Sequence, residues 1–163
     1  MSITREILVA YKGFGASMRR QIAANPGEEK LLIYLVMAIL ILFIARAPNL
    51  LEASALAATE EVSSIAIFVV NLVSSFFFAP LLFYGLASLS GLMAKMFGGK
   101  GNGYRSRLAL FWALLVVSPL ALVSAIVQSA LPFSWLAPVL SVALFLVFAV
   151  AWAANIRVAE RQD

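Results

Sequence analysis

The chain has 163 residues, of which 63% are apolar and 12% charged, with a formal net charge of +4. A soluble domain is nearer half apolar and a quarter charged, so the composition excludes a water-soluble fold and makes the bilayer the solvent. Cysteine and histidine are both absent, which removes disulfides, thiolate metal sites and haem attachment together with the commonest catalytic base and metal ligand.

Residues 2–24 read as an amphipathic helix. Ile3, Ile7, Tyr11, Phe14, Met18 and Ile22 recur at steps of three and four and form one stripe, with Arg5, Lys12, Arg19 and Arg20 mostly off it. The scattered charges and the lack of a continuous apolar run argue against a cleaved leader. Two placements are open: a basic helix lying on an anionic leaflet, or a stripe packed on the protein's own cytoplasmic face. Gly13 and Gly15 weaken the helix and allow it to bend.

Asn25-Pro26-Gly27-Glu28-Glu29 reads as a helix start, with Asn25 as cap, Pro26 in the first turn and the acids at the positive end of the dipole. A first span over about 30–46 follows, closed by Arg46 and Pro48. Residues 47–61, with Glu52, Glu60 and Glu61, read as a connecting segment with a short helix at the outer surface. Between 62 and 97 the only charge is Lys95. That length of helix would reach about 54 Å against roughly 30 Å of hydrocarbon, so it is one long helix or two short spans. Pro80 permits a kink without demanding a turn.

Residues 98–103, Gly-Gly-Lys-Gly-Asn-Gly, break the helical pattern. They lack the strand–loop–helix context and the Lys-Ser/Thr ending of a phosphate-binding loop, so a basic loop beside anionic lipid is the expectation. The third span covers 106–130 with Pro119 near its middle. Residues 131–134 read as a tight turn with Ser134 as cap, and the fourth span covers 135–155 with Pro138 in its first turn.

Charge decides between four spans and five. With four spans and a cytoplasmic N-terminus, eleven of the twelve Lys and Arg residues lie inside and only Arg46 outside. Splitting 62–97 into two spans would leave five inside and seven outside. The positive-inside rule selects four. The fold class is therefore all-α: a polytopic membrane helical bundle with four transmembrane helices and an N-terminal amphipathic interfacial helix. Its parts are a cytoplasmic helix over 1–24, a transmembrane domain over 25–155 with spans near 30–46, 65–95, 106–130 and 135–155, and a cytoplasmic tail over 156–163. Trp135 and Trp152, about 25 Å apart along the fourth span, suit the two interfacial belts, and Trp112 suits the interior.

The spans offer little chemistry. Asn71 and Gln128 are the largest polar groups, and no acid or base lies at membrane depth, which argues against ion-coupled carriers and proton relays. A serine nucleophile would lack a base. No catalytic, cofactor or metal-binding residue is expected, and the dispersed basic residues do not suggest nucleic acid. Small residues form seams instead: Ala87, Gly91 and Ala94 in the second span, and Ala109, Ala113 and Ala121 in the third. Such faces serve either internal packing or docking of another membrane protein. Lys12, Arg19, Arg20, Lys100, Arg105 and Arg107 are the candidate contacts to lipid headgroups.

One further pattern stands out. Tyr11-Lys12-Gly13 precedes Arg19 and Arg20, and Phe76-Phe77-Phe78-Ala79-Pro80-Leu81-Leu82-Phe83-Tyr84-Gly85 follows. Then come Gly98-Gly99, Tyr104, Arg105, Arg107, Leu108-Ala109, Trp112 and Pro119. This resembles the bacterial branch of the Yip family, membrane proteins named for relatives that interact with Ypt/Rab GTPases, and is best over residues 76–120. The resemblance implies a helical bundle in the bacterial cytoplasmic (inner) membrane and no catalytic residues. Eukaryotic members typically have five spans and an aspartate–leucine–tyrosine–glycine–proline pattern. Charge here selects four spans and the pattern is absent, so GTPase binding does not carry over.

The expected function is non-enzymatic, through association with membrane lipids and with other integral membrane proteins or a second copy. The alternative is a passive channel, lipid flippase or transporter component built around Asn71, Ser118 and Gln128.

Overall fold

Apolar runs in a bilayer must satisfy their backbone polar groups internally, and helices do so along one segment. The structure, a computed structural model that describes residues 3–59, 62–131 and 135–161, follows that rule. Six helices are present among the described residues: α1 (Ile3–Ala10), α2 (Phe14–Ala24), α3 (Glu28–Leu56), α4 (Ser64–Met96), α5 (Gly103–Ala130) and α6 (Leu136–Ala159). The last four are each long and apolar enough to cross a membrane. The protein is an all-α bundle of four spanning helices preceded by two short ones.

Several local features differ from the sequence expectation. The stretch 2–24 is two helices, separated at residues 11–13. Gly13, a poor helix former, takes an extended backbone there and serves as N-cap of α2. Asn25 ends α2 rather than starting the next helix. It adopts the left-handed conformation at φ 40° and its N–H donates to the Ile22 carbonyl, a role Asn tolerates better than most residues. Gly27 takes the N-cap of α3, with Glu28 and Glu29 in the first turn.

α3 does not stop at Arg46 and Pro48 but continues to Leu56. One proline deletes a single backbone bond, which the turns on either side tolerate. No separate helix forms in the described part of 47–61. α4 is likewise unbroken through Pro80 and runs for 33 residues, about 50 Å at helical rise. It is one span, not two. Ser63 caps it by accepting from the Ala66 N–H. The 131–134 turn, the Ser134 cap, Glu60 and Glu61 fall wholly or mostly outside the described residues.

α5 is the axis of the bundle. It packs most extensively on α3, then on α6 and α4. Trp112, Phe111, Leu108 and Leu115 from α5 meet Leu31, Leu35 and Ala38 from α3, with Met18 from α2 in the same core. α4 is peripheral: only Ala87 and Gly91 are buried, while Phe77, Phe78, Leu81 and Leu82 face outward. The two tryptophans of the fourth span differ in environment. Trp152 stacks on Phe148 at 5.8 Å and packs against the core, whereas Trp135 is exposed.

The starts of α3 and α5 and the end of α6 meet at one end of the bundle. Tyr104 donates its hydroxyl proton to the Pro26 carbonyl, and Arg107 pairs with Glu28. The Lys100 N–H donates to the Glu160 carbonyl at 3.3 Å. The N-terminal helices, the glycine loop and the α6 terminus are therefore on the same side, as an even number of spans requires.

Candidate functional site

The two ends of the bundle differ, and the glycine loop defines the first. α4 terminates in a Schellman motif: Gly98, at φ 86°, donates to Lys95 O, and Gly99 donates to Ala94 O at 2.8 Å. The loop then wraps around the side chain of Glu160. Its carboxylate accepts from the Gly101 N–H at 2.8 Å and lies 3.4 Å from the Ser106 hydroxyl. A Cβ on Gly99 or Gly101 would collide with this carboxylate. The loop thus cradles an anion, but one supplied by its own chain.

The six candidate headgroup cations divide by environment. Arg20 is paired with Glu6 at 3.2 Å, Arg107 is paired with Glu28, and Arg105 donates to the Arg161 carbonyl at 3.4 Å. Lys100 is exposed on the glycine loop. Lys12 and Arg19 are exposed, and among the described residues neither forms an ion pair. Two of the six are therefore committed to ion pairs within the chain.

The N-terminal helices are clamped to the bundle. Trp112 Nε1 donates to Ser17 Oγ at 3.1 Å, and Tyr34 donates to Gln21 Oε1 at 3.3 Å. Tyr11 donates its hydroxyl proton to the Val116 carbonyl at 2.6 Å. That carbonyl lies three residues before Pro119. A proline removes the N–H that would reach the carbonyl four residues back and loosens the adjacent turn. Here Ser118 Oγ donates to Leu115 O at 3.0 Å, so the carbonyl deprived by Pro119 has a partner. Tyr11 serves its neighbour. Burial raises the Tyr11 pKa above the ordinary phenol value, which keeps the hydroxyl a donor. Self-packing, one of the two placements open from sequence, accounts for the buried side of the N-terminal segment.

The small-residue seams are spent inside the chain. Ala87, Gly91, Ala109 and Ala113 are buried, and Ala94 and Ala121 are partly covered. A Cβ on Gly91 would lie 2.5 Å from Ser106 Oγ and 3.0 Å from Ser106 Cβ, so the absence of a side chain is what lets α4 approach α5. The Ala109 carbonyl accepts from Asn155 Nδ2 at 3.2 Å. These residues hold α4, α5 and α6 together and leave little of the seam for a partner.

The polar residues of the spans do not converge. Asn71 Nδ2 donates to Ile67 O on the exposed side of α4, and Ser118 is buried against its own helix. Gln128 alone of the proposed trio lines an open space. Among the described residues, no group of carboxylates or other ligands could hold a metal ion.

That open space is the second end's main feature. Beyond Pro119 the bundle parts into a cleft of about 970 Å³ between α3, α5 and α6. Leu42, Ala121 and Leu144 line its deep part, and Arg46, Asn49, Gln128 and Ser129 its shallow part. Arg46 was legible only as the lone outside basic residue, and Glu160 only as part of a charged tail. Their roles depend on helices distant in sequence. Comparisons with protein-family models, with curated proteins and with solved structures give no match.

Proposed function

We propose that this chain is a non-enzymatic integral membrane protein that acts through association with lipids and with other membrane proteins or itself. The observation that carries the reading is the distribution of polar groups. Most span hydroxyls with a bond donate to their own helix, as Ser75, Ser88, Ser90 and Ser124 do, and Asn71, Ser118 and Gln128 do not converge on one point. With the small-residue seams used internally, the faces left for partners include the outward side of α4, with Phe77, Phe78, Leu81 and Leu82.

The same reading takes the chain as a bacterial relative of the Yip family in the inner membrane, with both termini cytoplasmic. The eleven-to-one charge count and the meeting of the N-terminal helices, the glycine loop and the α6 end on one side support the orientation. The chain is cysteine-free, so single cysteines report topology directly. Asn102→Cys should label from inside and Ala58→Cys, which is exposed, from outside. Labelling of Asn102→Cys from outside contradicts the orientation.

Purification from native membranes in mild detergent tests the association. The protein is expected in an assembly larger than the monomer. A monomer at every detergent level contradicts it. A second reading, a component that moves lipid or solute, is favoured by the cleft beyond Pro119. Liposome flux and scrambling assays test it, and activity no greater than that of empty liposomes counts against it.

A further inference from the structure

The cleft beyond Pro119 has a polarity gradient. Along α3 the lining runs from Leu42 to Arg46 and Asn49, and along α5 from Ala121 and Ala125 to Gln128 and Ser129. Each pair of sequences passes from apolar to polar in the same direction, toward the end of the bundle opposite the glycine loop. Arg46 stands eighteen residues after Glu28 in the same helix, about 27 Å at helical rise, which puts it at the far edge of a hydrocarbon layer of about 30 Å.

Arg46 is the one basic residue that the charge count leaves on that side. It is exposed in the cleft, and among the described residues it makes no ion pair and no hydrogen bond. A guanidinium at the edge of the hydrocarbon, over an apolar wall and with no protein acid paired to it among the described residues, is placed to meet a lipid headgroup. Its planar fork suits a phosphate. Pro48 lines the same cleft and lacks the N–H that would reach Ile44 O.

The cleft does not continue as a pore. Residues 108–118 of α5 are all buried, and Ser118, Trp112 and Phe111 fill the bundle below it. A water-filled path for a soluble anion would need polar groups at that depth. The apolar wall of Leu42, Ala121 and Leu144 and the cation at the open end suit a ligand with apolar length and an anionic head at one end.

We propose that this cleft binds one anionic phospholipid, with its phosphate on Arg46 and Gln128 and its acyl chains along Leu42, Ala121, Ala125 and Leu144. The site is separate from the basic residues near the glycine loop. The inference rests on the lipid part of the association reading and is independent of its protein-partner part.

The test places a bimane fluorophore on Ser141→Cys, a residue that lines the cleft, in the otherwise cysteine-free full chain. The protein is reconstituted in phosphatidylcholine vesicles containing a low fraction of chain-brominated phosphatidylglycerol, or the same fraction of brominated phosphatidylcholine. Quenching by the phosphatidylglycerol should exceed that by the phosphatidylcholine about fivefold in apparent affinity, the factor one arginine near a membrane surface supplies. Arg46→Gln should remove the preference and Arg46→Lys should retain part of it. A bimane on Phe78→Cys, on the outward face of α4, should show no preference in any variant, and its unchanged spectrum in Arg46→Gln reports an intact bundle.

Equal quenching by the two lipids in the Arg46 protein overturns the proposal, because the cleft is then merely filled by bulk lipid. So does a preference that survives Arg46→Gln. Inorganic phosphate in excess should leave the quenching unchanged, and relief of quenching by phosphate would show an anion site that needs no lipid and also overturns it. Assembly size in mild detergent is read independently. A monomer with a fivefold lipid preference removes the protein-partner part of the association reading alone, and a large assembly without the preference removes this inference alone.

Discussion

The two halves of α5 have similar composition and opposite surroundings. Residues 108–118 are buried without interruption, whereas between 119 and 130 only Ser124 is buried, and Val123 and Ile126 are 57% and 65% exposed. Both halves are apolar, so hydropathy does not separate them. What separates them is cover. The first half is enclosed by α3, by Ala87 and Gly91 on α4, by α6, and by the folded-back N-terminal helices. The second half has lost the N-terminal helices and diverges from its neighbours after Pro119. In a bilayer, where lipid is as apolar as leucine, close packing and hydrogen bonds decide which helices adhere.

The largest way to break this contrast is to empty the closed half. Trp112→Ala should destabilise the fold by about 3–5 kcal/mol in reversible unfolding from mixed micelles, because Trp112 is buried and also donates to Ser17. Ile126→Ala, in the open half, should cost about 0.5 kcal/mol or less. Comparable losses at the two positions would deny the asymmetry.

Next is the approach of α4. Gly91→Ala forces Ser106 to move and should cost about 1–3 kcal/mol. Gly85→Ala, on the same helix with nothing within 4 Å of the added atom, should be neutral or slightly stabilising. The pair separates steric conflict from helix propensity.

The proline-linked bonds sharpen the boundary between the halves. Ser118→Ala should cost about 1 kcal/mol by leaving Leu115 O without its donor. In a Pro119→Ala background the restored N–H should reduce that cost to near zero, a coupling that a double-mutant cycle measures.

The smallest effect concerns Tyr11. Its pKa is raised in the fold, so the folded chain holds the proton more tightly than the unfolded chain. The stabilisation is complete below the unfolded value near 10 and is lost as pH rises through the folded value. Unfolding should show no Tyr11-dependent change from neutral pH up to about 9. Tyr11→Phe should lower stability by about 0.5–1.5 kcal/mol at neutral pH and abolish the alkaline loss attributable to this group.

Much of the fold was legible in the sequence because the bilayer leaves few options. Four apolar runs had to be helices, and Gly98 through Gly103 had to interrupt them. The long run over 62–97 was ambiguous by length, and only the arginines and lysines far from it in sequence decided its topology. Local chemistry was less legible. Pro48 reads as a terminator, yet a helix survives one missing bond when its other backbone groups have no better partner. Asn25 suits either a start or an end, and the left-handed conformation is chosen by the turn that Gly27 continues. Tyr11 lay on the apolar stripe, but its hydroxyl bonds the Val116 carbonyl, more than a hundred residues away. Glu160 and Arg46 have no local pattern to mark them. One is defined by the loop that encloses it and the other by the cleft it lines, where it makes no ion pair among the described residues.

The contrast within α5 is tested most directly by a cysteine scan along that helix. Single spin labels at successive positions from 108 to 129, in the reconstituted full chain, would be read for collision with lipid-soluble oxygen. Accessibility should stay low at every position through 118, then rise after Pro119, with maxima at 123 and 126. A uniform helical oscillation along the whole length, with one face exposed from beginning to end, would contradict a closed half joined to an open one.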